Sequence, residues 1–193
     1  PFGQVARFET GLFSRGDWKG KWMGGSNQLR KEFGLDKKII RARAFICGLG
    51  YYELRINGRK VGRNVLDPGW TTYEKRVLYV AYDVTNHLQA GANAVAVMLG
   101  QGRYKDYALL FQMNIELEGG DRIEVVSESS WKAKKGPIVS DSIYNGETFD
   151  ARLETPGWDR PGYDDSGWGA AKEVSGPKGE LSAQMMPAIQ VVD

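Results

Sequence analysis

Tyr51-Tyr52-Glu53-Leu54-Arg55-Ile56-Asn57-Gly58-Arg59-Lys60-Val61 carries the reading that decides the fold class. Tyr52, Leu54 and Ile56 recur at every second position, the period of a half-buried strand. Asn57-Gly58 then supplies the positive backbone angles of a tight hairpin turn, so the chain reverses into Lys60-Val61. Upstream, Ile40, Ala42, Ala44 and Ile46 alternate with Arg41, Arg43 and Phe45, which predicts a strand with a neutral inner face and a partly charged outer one. Cys47 lies in the same stretch and reads as a small core residue. Downstream, strands are predicted at 77–82, 94–99, 109–117 and 122–126, the last two joined by Glu118-Gly119-Gly120-Asp121 as a hairpin turn. Residues 83–88 predict a single helical turn, capped by Asp83 or Thr85, before Gly91 and Asn93 release the chain into the next strand. Six tryptophans, nine tyrosines and 25 glycines belong with an all-β protein, a meander feeding a sandwich, and no long helix is expected.

From Lys135 onward, Gly136-Pro137, Pro156-Gly157, Pro161-Gly162 and Gly176-Pro177 make a loop-rich half in which Trp158 and Trp168 still require burial. The tail after Gly179 fits a strand that pairs back or one that leads into a further domain. At 193 residues and 41% hydrophobic content the chain suffices for one substantial core. The expected division is 1–17 as the end of a preceding domain or a linker, 18–175 as the sandwich, and 176–193 as a strand or linker toward the next domain. Pro1-Phe2-Gly3 with the early alternation Val5, Arg7, Phe8 reads as a start inside a longer polypeptide.

Charge and chemistry narrow the function. Lys and Arg total 26 against 24 Asp and Glu, a net +2, which gives no strong field for nucleic acid or an anionic membrane. No stretch has the 18 or so apolar residues of a membrane span, and no signal-peptide pattern opens the sequence. One histidine and one cysteine exclude a zinc site and a Cys-His nucleophile pair, and His87 is expected on the surface. Gly100-Gln101-Gly102-Arg103 lacks the third glycine, helix and βαβ setting of a dinucleotide loop. Asp141, Asn145, Glu147 and Asp150 are a weak candidate set of oxygen ligands for a metal such as calcium, with solvated loop structure as the favoured reading. Asp164-Asp165-Ser166 reads as an Asx turn of solvated carboxylates before Trp168.

Leu54–Gly62, Leu66-Asp67-Pro68-Gly69-Trp70-Thr71-Thr72-Tyr73, Tyr82-Asp83-Val84-Thr85 and Gly91-Ala92-Asn93-Ala94 together resemble the N-terminal domain of bacterial α-L-rhamnosidases in order and spacing. Tyr144-Asn145-Gly146-Glu147-Thr148-Phe149-Asp150-Ala151-Arg152 and 158–168 extend the likeness over roughly 18–171. The resemblance implies a jelly-roll, galactose-binding-like β-sandwich, with 1–17 as the end of a preceding fibronectin-like domain or a linker. It implies an exported parent enzyme that cleaves terminal α-L-rhamnosyl linkages with inversion, using carboxylates of a downstream α/α barrel. This chain then has no catalytic residue of its own, and its partner is that barrel, with other domains of the parent. A second resemblance, to the galactose-binding-like domains of β-galactosidases and β-glucuronidases, shares the Asn-Gly hairpin but lacks the Pro-Gly-Trp and Gly-Glu-x-x-Asp-Ala-Arg elements.

Some relatives of this domain bind rhamnose through calcium, and the resemblance extends that possibility to rhamnose-containing glycans here. Two departures disfavour calcium: Arg63-Asn64 stands where an Asp-Asn pair is expected, and the loop after Tyr104 is only Lys105-Asp106-Tyr107, short of oxygen ligands. Arg103 stands where the family often has tryptophan. Asn64, Asp67, Trp70, Tyr104, Asp106 and Tyr107 remain the expected sugar-contacting residues, with rim packing as the competing role of the aromatics. Docking against the barrel and sugar binding are thus the two readings to separate, and an independent hydrolase is a third.

Overall fold

The computed structural model describes residues 10–192, so the expected alternation at Val5, Arg7 and Phe8 lies outside the described residues. In chain order the strands are β1 (Met23–Gly24), β2 (Gln28–Leu35), β3 (Ile39–Leu49), β4 (Tyr51–Ile56), β5 (Arg59–Lys60) and β6 (Asn64–Val65). They continue as β7 (Arg76–Asp83), β8 (Gly91–Gly100), β9 (Ala108–Leu117), β10 (Arg122–Val126), β11 (Lys132–Lys134) and β12 (Ile138–Ser142). The last are β13 (Gly146–Phe149), β14 (Gly169–Ala170), β15 (Lys172–Glu173), β16 (Glu180–Ala183) and β17 (Ile189–Gln190). Helical structure among the described residues is limited to 3-10 turns at Arg15–Asp17, Thr85–His87 and Ala151–Leu153, and no helix is long and apolar enough to cross a membrane.

Two sheets make a sandwich. One runs β15-β1-β9-β3-β7-β16 with β10 also on β9, the other β14-β11-β2-β8-β4-β5. Ala42, Ala44 and Ile46 of β3 meet Leu54 and Ile56 of β4, Val95, Val97 and Leu99 of β8, and Phe111, Met113 and Ile115 of β9 in one core. Burying each large apolar side chain there contributes about 1.5–3 kcal/mol. The hairpin forms as its residues dictate: Asn57 has φ 52° and Gly58 φ 79°, and Arg55 pairs with Lys60. At the other hairpin Gly119 and Gly120 both take φ 90°. The turn after β7 is held by the Asp83 carboxylate, which accepts from Thr85 N at 3.0 Å and Thr85 Oγ1 at 2.7 Å.

Four expectations need correction. A bulge between Ile39 and Arg41 shifts the alternation at the start of β3, so Ile39 packs on the core and Ile40 is 48% exposed. Farther along β3 the outer face is not solvated, because Phe45, Cys47 and Leu49 lie in a second cluster with Val77, Tyr79 and Leu181, covered by Leu12, Trp18 and Trp22. His87 is half-buried, with Nδ1 buried and unpartnered. Asp164 does form the Asx turn, accepting from Ser166 N at 3.0 Å, but Asp165 is half-buried and pairs with Arg30.

That pairing explains the loop-rich half. Arg30, 1% exposed, donates from Nε to the Trp158 carbonyl at 2.9 Å and from Nη2 to the Arg160 carbonyl at 3.0 Å. Trp158 and Trp168 stack with centroids 6.0 Å apart on Ala96, against the outer face of the six-stranded sheet. The tail pairs back: β16 runs parallel to β7, and β17 antiparallel to β6.

Candidate functional site

The expected site residues gather where β6, the loop after it and the turn after β8 meet, but in three different states. Asp67 is buried, 3% exposed, at the centre of a polar network. Its Oδ2 accepts from Asn64 Nδ2 at 2.6 Å and Tyr82 Oη at 3.1 Å, and its Oδ1 from Gln184 Nε2 at 3.1 Å. Tyr82 Oη also stands 3.1 Å from Tyr52 Oη. Desolvation first, and then the Asp67 charge, pushes the Tyr82 phenol up to about 12. Asp67, expected among the sugar-contacting groups, therefore spends its acceptor capacity inside the protein, and Asn64 gives it an amide proton.

Tyr104 and Tyr107 are half-buried. Tyr104 meets Tyr73 edge-on at 5.6 Å, and the Tyr73 hydroxyl in turn accepts from Gly50 N at 3.1 Å. Tyr107 donates to Asp141 Oδ2 at 3.2 Å, and burial followed by the Asp141 charge pushes its phenol up to about 12. Asp106 is exposed, beside Tyr104, whose phenol it helps raise after burial.

Trp70 is the residue on which packing was the competing expectation, and it is 52% exposed. The Arg103 guanidinium sits 4.0 Å above its ring and 5.6 Å from the ring of Tyr144. Arg103 is thus an indole-stacking cation held between two exposed aromatics. Tyr144, 75% exposed, had no place among the sequence candidates; its position at the tip between β12 and β13 was the available signal. Leu66 and Ile143 line one recess with Gly102, and Leu66, Ile143, Met186, Ile189 and Val191 are all exposed. Ile189 pairs with Val65, and Met186 Sδ occupies the space beside Gly69, where a Cβ would stand 2.2 Å away.

The acidic set does not converge. Asp141 Oδ1 accepts from the backbone of Gln101 at 2.5 Å and Gly102 at 3.2 Å, fixing the turn after β8. Asp150 accepts from Arg152 N at 3.1 Å and Arg152 Nη2 at 2.7 Å. Asn145 donates its N–H to Ser142 Oγ at 3.0 Å, and Glu147 pairs in register with Asp141 across the β12–β13 hairpin. Among the described residues no three His, Cys, Asp or Glu side chains stand together to hold a metal ion.

Two packed sheets, antiparallel but for the β16–β7 pair, make this a jelly-roll, galactose-binding-like β-sandwich. The α-L-rhamnosidase N-terminal domain family model matches residues 37–193. The chain belongs to this family. It is 39% identical over 183 residues to an α-L-rhamnosidase of Formosa agariphila, covering 86% of this chain and 19% of that protein. Among solved structures, α-L-rhamnosidase from Dictyoglumus thermophilum superposes with TM-score 0.93 at 39% identity, over 100% of this chain and 25% of that one. Streptomyces avermitilis α-L-rhamnosidase complexed with L-rhamnose superposes at 0.82 with 40% identity, over 89% of this chain and 18% of that one. The chain spans a quarter or less of the length of these relatives.

Proposed function

We propose that this chain is a docking domain that seats the catalytic α/α barrel of an α-L-rhamnosidase against the end of its sandwich. The complete protein, on this reading, hydrolyses terminal α-L-rhamnosyl linkages with inversion through carboxylates of that barrel. The observation that carries it is the rim: Leu66, Trp70, Tyr144, Ile143, Met186, Ile189 and Val191 are all large, and about half or more of each is exposed. Large exposed apolar side chains in such number mark an interaction site in an otherwise well-packed protein, and a stacked Trp-Arg pair is a common anchor of such interfaces. The test is hydrogen exchange in the complete protein against the 193-residue chain. Docking predicts slower exchange at 64–70, 143–149 and 185–192 in the complete protein, and equal rates would overturn it.

A second reading, binding of L-rhamnose or its glycans at the same rim, is favoured by one observation, the exposed indole of Trp70. Arg103 already covers one face of that ring, and Asp67 is committed to its own network. Calcium assistance is disfavoured by the cation of exposed Arg63. Titration with L-rhamnose, with and without calcium, separates the readings: saturable amide shifts at 63–73 and 103–107 belong to sugar binding alone.

A further inference from the structure

Two Asn-Gly pairs stand in this chain, Asn57-Gly58 and Asn145-Gly146, and the fold gives them opposite surroundings. In an Asn-Gly pair the glycine nitrogen reaches the asparagine Cγ readily, because no side chain on the glycine shields it. Attack closes a cyclic imide: the Gly N–Cγ bond forms as the glycine amide proton passes to solvent base, the Cγ–Nδ2 bond breaks, and Nδ2 leaves as ammonia. Water then opens the ring at either carbonyl, giving aspartate or isoaspartate. The net change is one water taken up, one ammonia lost and one negative charge gained.

At Asn57 the fold opposes each step. Nδ2 donates to the His87 carbonyl at 2.9 Å and to Asn93 Oδ1 at 2.8 Å, and Oδ1 accepts from Ala94 N at 2.8 Å. The nitrogen that would attack, Gly58 N, donates to the Asp159 carbonyl at 2.9 Å. Ring closure has to break these bonds, and each slows the step by up to about tenfold.

Asn145 is exposed, at the tip between β12 and β13, and among the described residues its side-chain amide has no hydrogen-bond partner. Gly146, at φ 75°, has nothing within 4 Å of where a Cβ would stand, so the approach to its nitrogen is open. With Ser142 it forms the end pair of the two-stranded β12–β13 ladder, the part of a hairpin that opens at least cost. Ser142 Oγ accepts from Tyr144 N at 3.1 Å and Asn145 N at 3.0 Å. Those bonds lie before the Asn145 Cα and leave its side chain and ψ, the torsions that close the ring, unrestrained.

We propose that Asn145 is a site of spontaneous covalent modification, deamidation through a cyclic imide, and that Asn57 in the folded chain is not. Conversion puts a carboxylate beside Tyr144, whose ring lies 5.6 Å from the Arg103 guanidinium. Isoaspartate also lengthens the backbone there by one methylene, so the hairpin tip carries a charge and a shape that change with the age of the protein.

The experiment holds the 193-residue chain in mildly alkaline buffer, with and without denaturant, and follows the tryptic peptides 136–152 and 56–59 by mass spectrometry. Asn145 is the sole asparagine of the first and Asn57 of the second. In the folded chain, peptide 136–152 should gain one mass unit, split into aspartate and isoaspartate forms, and convert faster as pH rises, because the attacking nitrogen must lose its proton. Peptide 56–59 should convert at least about tenfold more slowly. Denaturant should close most of that gap, since the two pairs then differ only in their flanking residues. Asn145→Gln, at an exposed tip, keeps the fold and should leave peptide 136–152 unchanged over the same period, since closure onto the longer side chain needs a larger ring. No isoaspartate at 145, a folded-state difference from Asn57 of less than about tenfold, or a gap that survives in denaturant each overturns the proposal. None of these outcomes bears on docking, which exchange at the rim tests in the complete protein.

Discussion

Trp70 and Arg103 hold each other at a 4.0 Å stacking distance in solvent, and an exposed cation–π contact contributes about 0.5–1 kcal/mol. Trp70→Ala should therefore lower stability by no more than about 1 kcal/mol, read from the urea midpoint, while removing the largest ring of the rim. A loss several times greater would make Trp70 a packing residue. His87 provides a cleaner titration, since it is the sole histidine of the sequence. Burial first, and then the neighbouring Arg59 cation, hold its imidazole below the ordinary value, against smaller opposing effects of the Lys60 backbone and Asp83. The unfolded chain thus binds the proton more readily. Stability from this residue is present above the ordinary histidine pKa of about 6.5 and is lost as pH falls through the depressed folded value. Proton NMR should place its midpoint below 6.5, and His87→Leu should flatten the slope of stability with pH in that window.

At the scale of the element, the legible parts are those whose cause is local. Asn57-Gly58 fixes a hairpin because those two residues tolerate positive φ, and β4 buries Tyr52, Leu54 and Ile56 in strict alternation. β2 has no such signature, because Arg30-Lys31-Glu32 interrupts its apolar residues. The guanidinium of Arg30 is held by carbonyls contributed 128 and 130 positions away, which no local pattern encodes. The same distance hid the role of Asp165, which looked like a solvated turn residue. The rim was half legible: Trp70 was singled out, but its stacking partner Arg103 and the tail's Met186 beside Gly69 come from distant segments. Breaking a buried charge network by removing one partner costs about 3–5 kcal/mol. Arg30→Met should accordingly destabilise by about that much and free the 153–168 segment from the sheet. Circular dichroism in denaturant measures the first effect, and faster amide exchange at Trp158 and Trp168 the second.

For the whole molecule, the decisive link is between the tail and the rim. β16 extends one sheet by pairing parallel to β7, and β17 returns to β6. Between them Gln184 fastens three places at once: its N–H donates to the Tyr79 carbonyl at 2.8 Å, its Oε1 accepts from Gly69 N at 2.8 Å, and its Nε2 donates to Asp67 Oδ1 at 3.1 Å. Asp67 is buried and needs every donor it has, so the side chain of Gln184 joins the interior network to the surface that the tail helps to build. Gln184→Ala leaves that carboxylate short of a donor, and should cost about 1–3 kcal/mol while loosening 185–192 over Gly69 and Trp70. Gln184→Glu is the sharper test. At neutral pH it sets a second carboxylate against Asp67, and like charges at that range should make it less stable than the alanine variant. In acid the introduced carboxyl becomes protonated and can donate to Asp67 as the amide did. Its folded pKa is raised, so its contribution is present below the unfolded carboxyl value of about 4.3 and lost as pH rises through the folded one. Urea midpoints of the two variants should therefore cross as pH is lowered, with the glutamate variant gaining on the alanine variant. Parallel curves would mean that Gln184 acts only as a spacer and that the tail, with the rim it forms, is held by strand pairing alone.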